Sequence, residues 1–340
     1  MCRPQPVFDP EEPVAVRIAV TGSIATDHLM TFEGRFAEQL IADQLTQVSL
    51  SFLVDELEVR RGGVAANISF GLGCLGLNPV LVGAVGADFA EYAAWLERHG
   101  VDVSGVHVSE MRHTARFVCT TDRDHNQIAS FYAGAMAEAR NIELWPLAQR
   151  LGGLDLVVVG ANDPEAMVRH SEECRVRGLS FAADPSQQLA RMEGPQVRSL
   201  VEGAEYLFAN EYEKALTEQK TGWSDAELLT RVRTRVTTLG AKGVRVDRAG
   251  EPSLHVPAAH VSEAVDPTGA GDAFRAGFLA AVSWGLDPDR CAQVGNAAAA
   301  HCLEVSGPQE YRMTPQSLLD RLARSYGDDA AAEVADRMPG

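Results

Sequence analysis

Short apolar stretches alternate with longer amphipathic ones along most of the chain. Apolar runs of strand length occur at 17–22, 79–85, 101–108, 154–160, 179–184, 205–210 and 235–239. Segments that favour helices follow, at 88–99, 164–177, 211–217, 273–281, 287–304 and from residue 315. Strands that alternate with helices predict an α/β fold with a mostly parallel central sheet and helices on both faces.

Two segments depart from this alternation because their apolar positions recur at every second residue. Residues 45–60 include the alternating Val48, Leu50 and Phe52, and residues 114–132 form a hairpin pattern that turns at 122–126. Another hairpin is predicted at 244–256. We expect the segments near 45–60 and 105–132 to form a small β lid. Residues 23–27 are predicted as a loop after the first strand.

The two ends of the chain give weaker patterns. Residues 1–15 contain four prolines and no apolar run, which predicts a disordered N-terminal tail and neither a signal peptide nor a membrane span. One domain is predicted over 16–325, and a C-terminal tail over 326–340.

Composition excludes several kinds of partner. The net charge of −17 argues against nucleic acid or an anionic membrane as the main partner. The six cysteines lack metal or redox spacing, which indicates reduced, buried thiols and a cytoplasmic protein. Hydrophobic residues at 46% and charged residues at 23% are typical of a globular protein.

The segment 266–274, Asp-Pro-Thr-Gly-Ala-Gly-Asp-Ala-Phe, carries the strongest chemical signal. Glycines 269 and 271 precede an apolar helix, so the backbone N–H groups of this turn would form an anion site at the helix N-terminus. Asp272 would be repelled by a phosphate that only bound there, but it could deprotonate a hydroxyl that receives the phosphate. The pattern therefore indicates phosphoryl transfer to an alcohol. The alternative is an ordinary helix cap.

Other candidates have structural alternatives of similar weight. Gly63 and Asn67 open a helix of small residues, where a ligand could approach the backbone or a plain turn could lie. Asp27 could bind sugar hydroxyls or cap a turn. Phe117 and Phe131, one on each arm of the hairpin, could be core residues or a platform for a flat ligand.

Two further segments follow strand ends. Asn210 and Glu213 are three residues apart at a helix start, where they could be a simple cap. Residues 238–243 contain two glycines and could be a plain β-turn.

The segments 61–69 and 266–274 resemble the two signatures of the ribokinase (PfkB) family of carbohydrate and nucleoside kinases, in the family's order and about 200 residues apart. The resemblance, which spans 16–325, implies a ribokinase-like fold with ATP and Mg²⁺ as cofactors. It implies that Asp272 is the catalytic base and that Asn210 and Glu213 organise Mg²⁺ through water. It assigns the anion hole to Gly269, Ala270 and Gly271, and ATP binding to Asn210, Gly271, Thr238, Leu239, Gly240, Ala241, Lys242 and Gly243. Pro267 departs from the family pattern and leaves a K⁺ requirement open.

Residues 21–28, 161–165 and 184–188 more narrowly resemble adenosine kinases of the actinobacterial type. That resemblance implies contacts with the ribose from Ser23, Asp27, Gly63 and Asn67, and an adenine sandwich between Phe117 and Phe131. Ser51 and Gln187 would make secondary contacts. Arg191 would reach toward phosphate or close over the substrate, a surface salt bridge being its alternative. A homodimer through the lid is the assembly we expect.

The function implied is ATP-dependent phosphorylation of the 5′-hydroxyl of adenosine to AMP, a step of purine salvage. A kinase for ribose or another small sugar is the first alternative. A non-catalytic relative that binds nucleosides is the second.

Overall fold

A computed structural model describes residues 16–39 and 50–339. Within those ranges the chain forms a nine-stranded sheet, in the order β13-β12-β11-β10-β9-β8-β1-β4-β5, and a four-stranded sheet, in the order β3-β2-β6-β7. The strands are β1 Ile18–Thr21, β2 Ala25–Phe32, β3 Glu56–Gly62, β4 Val80–Gly86, β5 Asp102–Ser109, β6 Ala115–Asp122, β7 Gln127–Tyr132, β8 Leu156–Val159, β9 Phe181–Ala183, β10 Tyr206–Asn210, β11 Thr234–Thr238, β12 Val244–Asp247 and β13 Leu254–Val256.

Helices connect most strands of the large sheet. They are α1 Phe36–Gln39, α2 Val64–Cys74, α3 Ala90–Arg98, α4 Leu144–Leu151, α5 Pro164–Arg177, α6 Gly194–Val201, α7 Glu211–Thr221, α8 Asp225–Arg231, α9 Ala270–Ser283, α10 Pro288–Leu303, α11 Pro315–Tyr326 and α12 Asp328–Arg337. Short 3₁₀ helices occur at Ala87–Phe89, Gly134–Asn141, Ser186–Ala190 and Gly240–Lys242. Capping side chains determine where several of the helices begin. Asp163 caps α5 ahead of Pro164, and Ser224 forms a capping box with Glu227 on α8.

The large sheet is parallel from β5 to β11 and antiparallel at β12 and β13. Its strands are apolar runs because both faces are covered. In β1, Ile18 and Val20 belong to the core on the side of α2 and α9, whereas Ala19 belongs to the core on the side of α5 and α6. The prediction of a ribokinase-like, mostly parallel sheet with helices on both faces is confirmed.

Strand β1 lies between β8 and β4, so the chain leaves it first toward one edge of the sheet and later toward the other. Loops that follow such neighbouring strands diverge, and the crevice they leave at the carboxyl ends is where α/β sheets bind ligands. Ser23 follows β1 in that crevice, and Asn210 and Thr238 end β10 and β11.

The small sheet differs from the predicted lid in two ways. Residues 25–27, predicted as loop, begin strand β2, which is central in this sheet, and residues 105–109 belong to β5 of the large sheet. Polar residues such as Asp27 and His28 obscured the β2 pattern. The part of the predicted lid at 45–49 lies outside the described residues.

The register of the small sheet places a polar and an aromatic group side by side. Asp27 lies opposite Arg60 on β3 and Phe117 on β6, and Phe117 lies opposite Phe131 on β7. Residues directly opposite one another project from the same face of a sheet. This row therefore faces one side together.

The C-terminal segment corrects a prediction. Residues 328–337, expected in a tail, form α12, whose Ala330 and Val334 are buried. Spaced at i and i+4, these two residues form one apolar stripe that packs on the core. The predicted N-terminal tail at 1–15 lies outside the described residues. No helix in the described part of the chain is long and apolar enough to cross a membrane.

Because Val334 is fully buried, Val334→Asp should lower the free energy of unfolding by about 3 kcal/mol or more, since it buries a charge without a partner. Ala335→Asp, at the exposed next position, is the matched control and should change that free energy by about 0.5 kcal/mol. Urea unfolding measures both. Equal, small effects would mean that α12 does not contribute to the core.

Candidate active site

A cavity of about 630 Å³ opens at the carboxyl ends of the strands and is lined from both sheets. It collects most of the residues that the sequence singled out. Those lining it are Ser23, Asp27, Gly63, Asn67, Phe117, Phe131, Gln187, Arg191, Asn210, Glu213, Thr238, Gly269, Gly271 and Asp272. The chain thus brings the two glycine-rich signatures together across more than half its length.

The glycine turn before α9 is shaped by close packing. Gly269 has a φ of +81°, and a Cβ there would lie 2.3 Å from Cβ of Pro308, so only glycine fits. Asp266 braces the turn, since its carboxylate accepts bonds from the Thr268 and Gly307 N–H groups at 2.9 and 3.1 Å. In the first turn of α9 the backbone N–H groups of residues such as Gly271 have no acceptor within the helix. They are available to an anion.

Asp272 lies in that first turn, at the floor of the cavity. Its Oδ2 accepts a hydrogen bond of 2.9 Å from Nδ2 of Asn67 on α2. Burial raises the pKa of Asp272, Arg275 and the Asn67 bond lower it, and Glu213 raises it. The carboxylate is therefore more basic than an exposed aspartate and is aimed into the cavity. Both properties suit a general base.

A chain of hydrogen bonds fixes Asn67 in turn. Nε1 of Trp95 donates to Oε1 of Gln309, whose Nε2 donates to Oδ1 of Asn67 at 2.9 Å and to the hydroxyl of Tyr92. Tyr92 donates to the Gly62 carbonyl. Since Oδ1 of Asn67 is thereby an acceptor, its amide NH₂ group must face Asp272. No sequence pattern points to Gln309, which lies in the loop before α11.

The Gly63 segment is fixed to the loop after β1. Gly63 has a φ of +95°, and a Cβ there would lie 2.6 Å from the Ser23 carbonyl oxygen. The Ser23 hydroxyl accepts a 3.0 Å bond from the Val64 N–H and so caps α2. The hydroxyl hydrogen of Ser23 remains available for a ligand.

Asp27 and Arg60 place charge on the cavity face of the small sheet. Burial raises the pKa of Asp27, and Arg60 lowers it. Arg60 also donates to Asp266 at 3.1 Å. The small sheet is thereby tied to the residue that braces the glycine turn.

Phe117 and Phe131 line the cavity, and Phe131 is 47% exposed, which removes it from the core of this chain. Phe117 and Phe131 are paired across β6 and β7, so their side chains leave the sheet side by side on one face. That arrangement provides an apolar platform. An adenine sandwich, with one phenyl ring on each face of the base, remains a prediction. It would require the two rings to move apart far enough to admit the base between them.

Asn210 and Glu213 form a capping box at the start of α7. Oδ1 of Asn210 accepts from the Glu213 N–H at 2.8 Å, and Oε2 of Glu213 accepts from the Asn210 N–H at 2.9 Å. Within the described ranges no group of three acidic, His or Cys residues could hold a metal. Oxygen donors at a cavity edge, with Oε1 of Glu213 outside the box, fit Mg²⁺ that keeps its waters.

Several predicted site residues do not line the cavity, namely Ser51, Leu239, Gly240, Ala270, Ala241, Lys242 and Gly243. Ser51 is exposed. Gly243 has a packing role, because a Cβ there would lie 2.1 Å from the Val256 carbonyl oxygen. The predicted role of 239–243 in binding ATP remains a prediction about a neighbouring surface.

Sequence reasoning missed a buried ion pair behind the cavity. Arg275, which lines the cavity, donates to Asp184 at 2.7 Å. A charged residue inside the apolar run 273–281 was the available signal. The Ser186 backbone, also at the cavity, has a φ of +47°, a strained conformation for serine.

Comparison with known proteins gives a consistent result. The model of the pfkB family of carbohydrate kinases matches residues 21–315. A nucleoside kinase from Methanocaldococcus jannaschii is 28% identical over 91% of this chain and 97% of its own length. Ribokinase from Bacillus subtilis is 25% identical over 83% of this chain and 91% of its own.

A solved structure extends the comparison. The nucleoside kinase of Burkholderia thailandensis in complex with inosine has a TM-score of 0.80 and 33% identity, covering 91% of this chain and 99% of its own. The same kinase has been solved with ADP-inosine, where the identity is 34% and the TM-score 0.77 over 91% of this chain and 96% of that one.

The series of hydrogen bonds that runs from Trp95 through Gln309 and Asn67 to Asp272 can be tested without any substrate. Gln309→Leu should lower the free energy of unfolding by about 2–3 kcal/mol, because buried groups of Asn67, Tyr92 and Trp95 lose their partner. Gln316→Leu is the control, since this exposed glutamine bonds only Asp320 on its own helix. Denaturant unfolding gives both values. If Gln309→Leu were as mild as the control, the network would not hold the site.

Proposed function

The chain belongs to the pfkB family of carbohydrate kinases, and from that membership we propose that it transfers the γ-phosphoryl group of ATP to the 5′-hydroxyl of a nucleoside, with adenosine as substrate. The observation that carries this proposal is the position of Asp272. A carboxylate of raised pKa points into a cavity at the glycine turn whose free N–H groups suit an anion.

The reaction follows from that position. Asp272 accepts the proton of the 5′-hydroxyl, the hydroxyl oxygen bonds to the γ-phosphorus, and the bond to the ADP oxygen breaks. The N–H groups of the turn stabilise the charge on the transferring group, as preorganised donors do. The products are the nucleoside 5′-phosphate and ADP, and the proton remains on Asp272 until solvent removes it.

Asn210 and Glu213 are the residues that would hold Mg²⁺ through its water shell. The ion supplies neutralisation of the phosphate charges when bound. Glu213 is itself oriented by the Asn210 N–H, so the capping box would position the carboxylate that faces the metal. Dependence on K⁺ stays open.

Two observations favour a nucleoside over a free sugar. The cavity is lined both by polar side chains, including Asp27 and Asn67, and by the platform of Phe117 and Phe131. A pentose would leave that apolar surface uncovered, whereas a base would cover it. The relatives named nucleoside kinase support the same choice, and ribokinase keeps a sugar substrate as the alternative. A non-catalytic nucleoside-binding role is the second alternative, against which the intact turn and base argue.

Loss of the base should stop turnover while binding persists. Asp272→Asn should lower kcat for adenosine by about 100-fold or more, because an amide cannot accept the proton, and KM should change little. Asp287→Asn is the control, because Asp287 caps the neighbouring helix α10 away from the cavity. Steady-state kinetics with adenosine, inosine, ribose and fructose side by side decides between the candidate substrates. Near-normal kcat in Asp272→Asn would contradict the mechanism.

One truncation distinguishes a role of the Phe117–Phe131 platform in substrate binding from a role in stability. Phe131→Ala should raise KM for adenosine about tenfold to 100-fold, since stacking on one base is worth about 1–3 kcal/mol. The melting temperature should hardly move because Phe131 is half exposed. Ile128→Ala removes an equally exposed side chain from the opposite face of β7 and should leave KM unchanged. An unaltered KM in Phe131→Ala would favour a sugar substrate.

We also propose that the small sheet mediates a homodimer. Its outer face, opposite Asp27, exposes Leu57 and Val59 at 58% and 55%, and Ile128 at 49%. Apolar side chains in such a row are typical of an interface. Leu57→Lys combined with Val59→Lys should convert a dimer to a monomer in sedimentation velocity, with Leu53→Lys, an exposed position outside the sheet, as control. A wild-type monomer at micromolar concentration would contradict the dimer.

A further inference from the structure

Arg275 is a cation buried where the sequence pattern predicts only apolar side chains. It lies on α9, three residues after Asp272, and its side chain is 9% exposed. Its Nη2 donates to Oδ1 of Asp184 at 2.7 Å, and Asp184 is fully buried directly after β9. Burying an ion pair costs free energy that the mutual attraction only partly recovers. The buried Arg275–Asp184 pair is therefore better explained by a function than by stability.

The carboxylate of Asp184 is incompletely satisfied, unlike a purely structural carboxylate elsewhere in the fold. Its Oδ2 has no hydrogen-bond partner among the described residues. Buried Asp247, by contrast, accepts on Oδ2 from Arg235 and Arg245 and on Oδ1 from Ser253. The Asp184 pair therefore keeps unused hydrogen-bonding capacity beside the cavity.

The guanidinium lies against the glycine turn. A Cβ added to Gly271 would be 2.8 Å from Nη1 of Arg275, and Arg275 lines the same cavity as Gly271 and Asp272. A guanidinium stays protonated in proteins, so it brings a fixed positive charge to this point. The turn supplies only partial charges from backbone N–H groups, whereas the arginine supplies a whole one.

The charged groups that act on Arg275 are negative. Asp272, Glu213 and Asp184 surround Arg275, and each raises its pKa against the lowering effect of burial. Phosphoryl transfer brings further negative charge to the same place. Without a cation there, the turn would have to hold a phosphoryl group beside an ionised base.

We propose that Arg275, held in place by Asp184, is the positioning cation of this site: it keeps the Asp272 carboxylate ionised beside the glycine turn while a phosphoryl group binds there. The inference rests on the proposed phosphoryl transfer and adds a residue to it. Asp184 acts as the anchor that aims the guanidinium at Gly271.

Proton affinity at Asp272 gives the test, because a packing defect would not move it in a set direction. Arg275 lowers the pKa of Asp272, so removing the guanidinium should raise it, and turnover should then fail at a higher pH on the acidic side. The groups that face Asp272 or sense its charge must be considered together. They are Arg275, Asp184, Glu213, Asn67, Tyr92, Cys302 and Tyr311.

The experiment compares the pH profiles of kcat of four variants. The acid limb of such a profile is the pH range in which kcat falls as the pH is lowered and Asp272 is protonated. Arg275→Met should move it up by about 1 pH unit or more and lower kcat about tenfold or more. Arg275→Lys keeps the charge and should leave the limb near that of the wild type. Asp184→Asn keeps the arginine but loses its anchor, so kcat should fall while the limb stays or moves down. Arg275→Met combined with Asp184→Asn leaves no unpaired charge to unfold the protein, and it should still show the raised limb.

Arg235→Met is the matched control, because Arg235 is also a buried arginine and is paired with Asp247 outside the cavity. It should lower the melting temperature without moving the limb. If Arg235→Met and Asp184→Asn raised the limb as Arg275→Met does, the effect would be general loosening. A wild-type limb in Arg275→Met or in the double variant would equally overturn the inference.

A second readout separates this inference from the function on which it rests. Titration of the Asp272 carboxyl carbon by NMR, in protein labelled at aspartate and assigned with Asp272→Asn, reports the pKa without turnover. A raised pKa in Arg275→Met supports the inference even if no alcohol is phosphorylated, which would count against the proposed function alone. An unchanged pKa in a wild-type enzyme that phosphorylates nucleosides would leave the function standing and reject the role of Arg275.

Discussion

A carboxylate withdrawn from water at the N-terminus of a helix is the constraint on which this site depends. In the proposed transfer Asp272 must stay ionised to take a proton, yet burial favours its neutral form. The helix end, the Asn67 amide and Arg275 each supply part of the compensation. Removing any of them would leave the carboxylate more readily protonated and less useful as a base. Asn67 reaches the carboxylate because α2, the helix that carries it, packs against α9.

The compensation reaches far along the chain because the network continues behind Asn67. Gln309, in the loop before α11, bonds both Asn67 and Tyr92, and Tyr92 bonds the backbone of Gly62. Gly62 ends β3 of the small sheet, so the position of the base and that of the small sheet are set by one hydrogen-bonded cluster. Arg60 adds a second link through Asp266. These bonds form a contiguous physical connection between the small sheet and the glycine turn.

The sequence predicted the parts of this arrangement that local chemistry determines. A glycine turn with an aspartate before an apolar helix is readable at 266–274, as is the capping pair of Asn210 and Glu213. Strand β2 was missed because polar residues interrupt its alternation on both faces, with Asp27 toward the cavity and His28 on the opposite face. Helix α12 was missed because its buried apolar stripe consists of only two residues, Ala330 and Val334. The partners Gln309 and Asp184 were beyond reach, since their roles arise only from long-range contacts.

The two sides of the cavity are built differently, and this bears on how one fold could accept different substrates. The side that carries Asp272 and the glycine turn lies on the large sheet and on α2 and α9, where glycine contacts and buried hydrogen bonds leave little freedom. The platform of Phe117 and Phe131 lies on the small sheet, where Phe131 is half exposed and the neighbouring residues of β7 are exposed as well. The links to Asp272 and to the turn leave from Gly62 and Arg60 on β3, at the other edge of the small sheet from β7. Substitutions of the exposed β7 residues should therefore alter what covers the substrate with little effect on Asp272 or the turn. In the proposed mechanism, a nucleoside kinase and a sugar kinase could thus share the same base and differ in the strand farthest from these links.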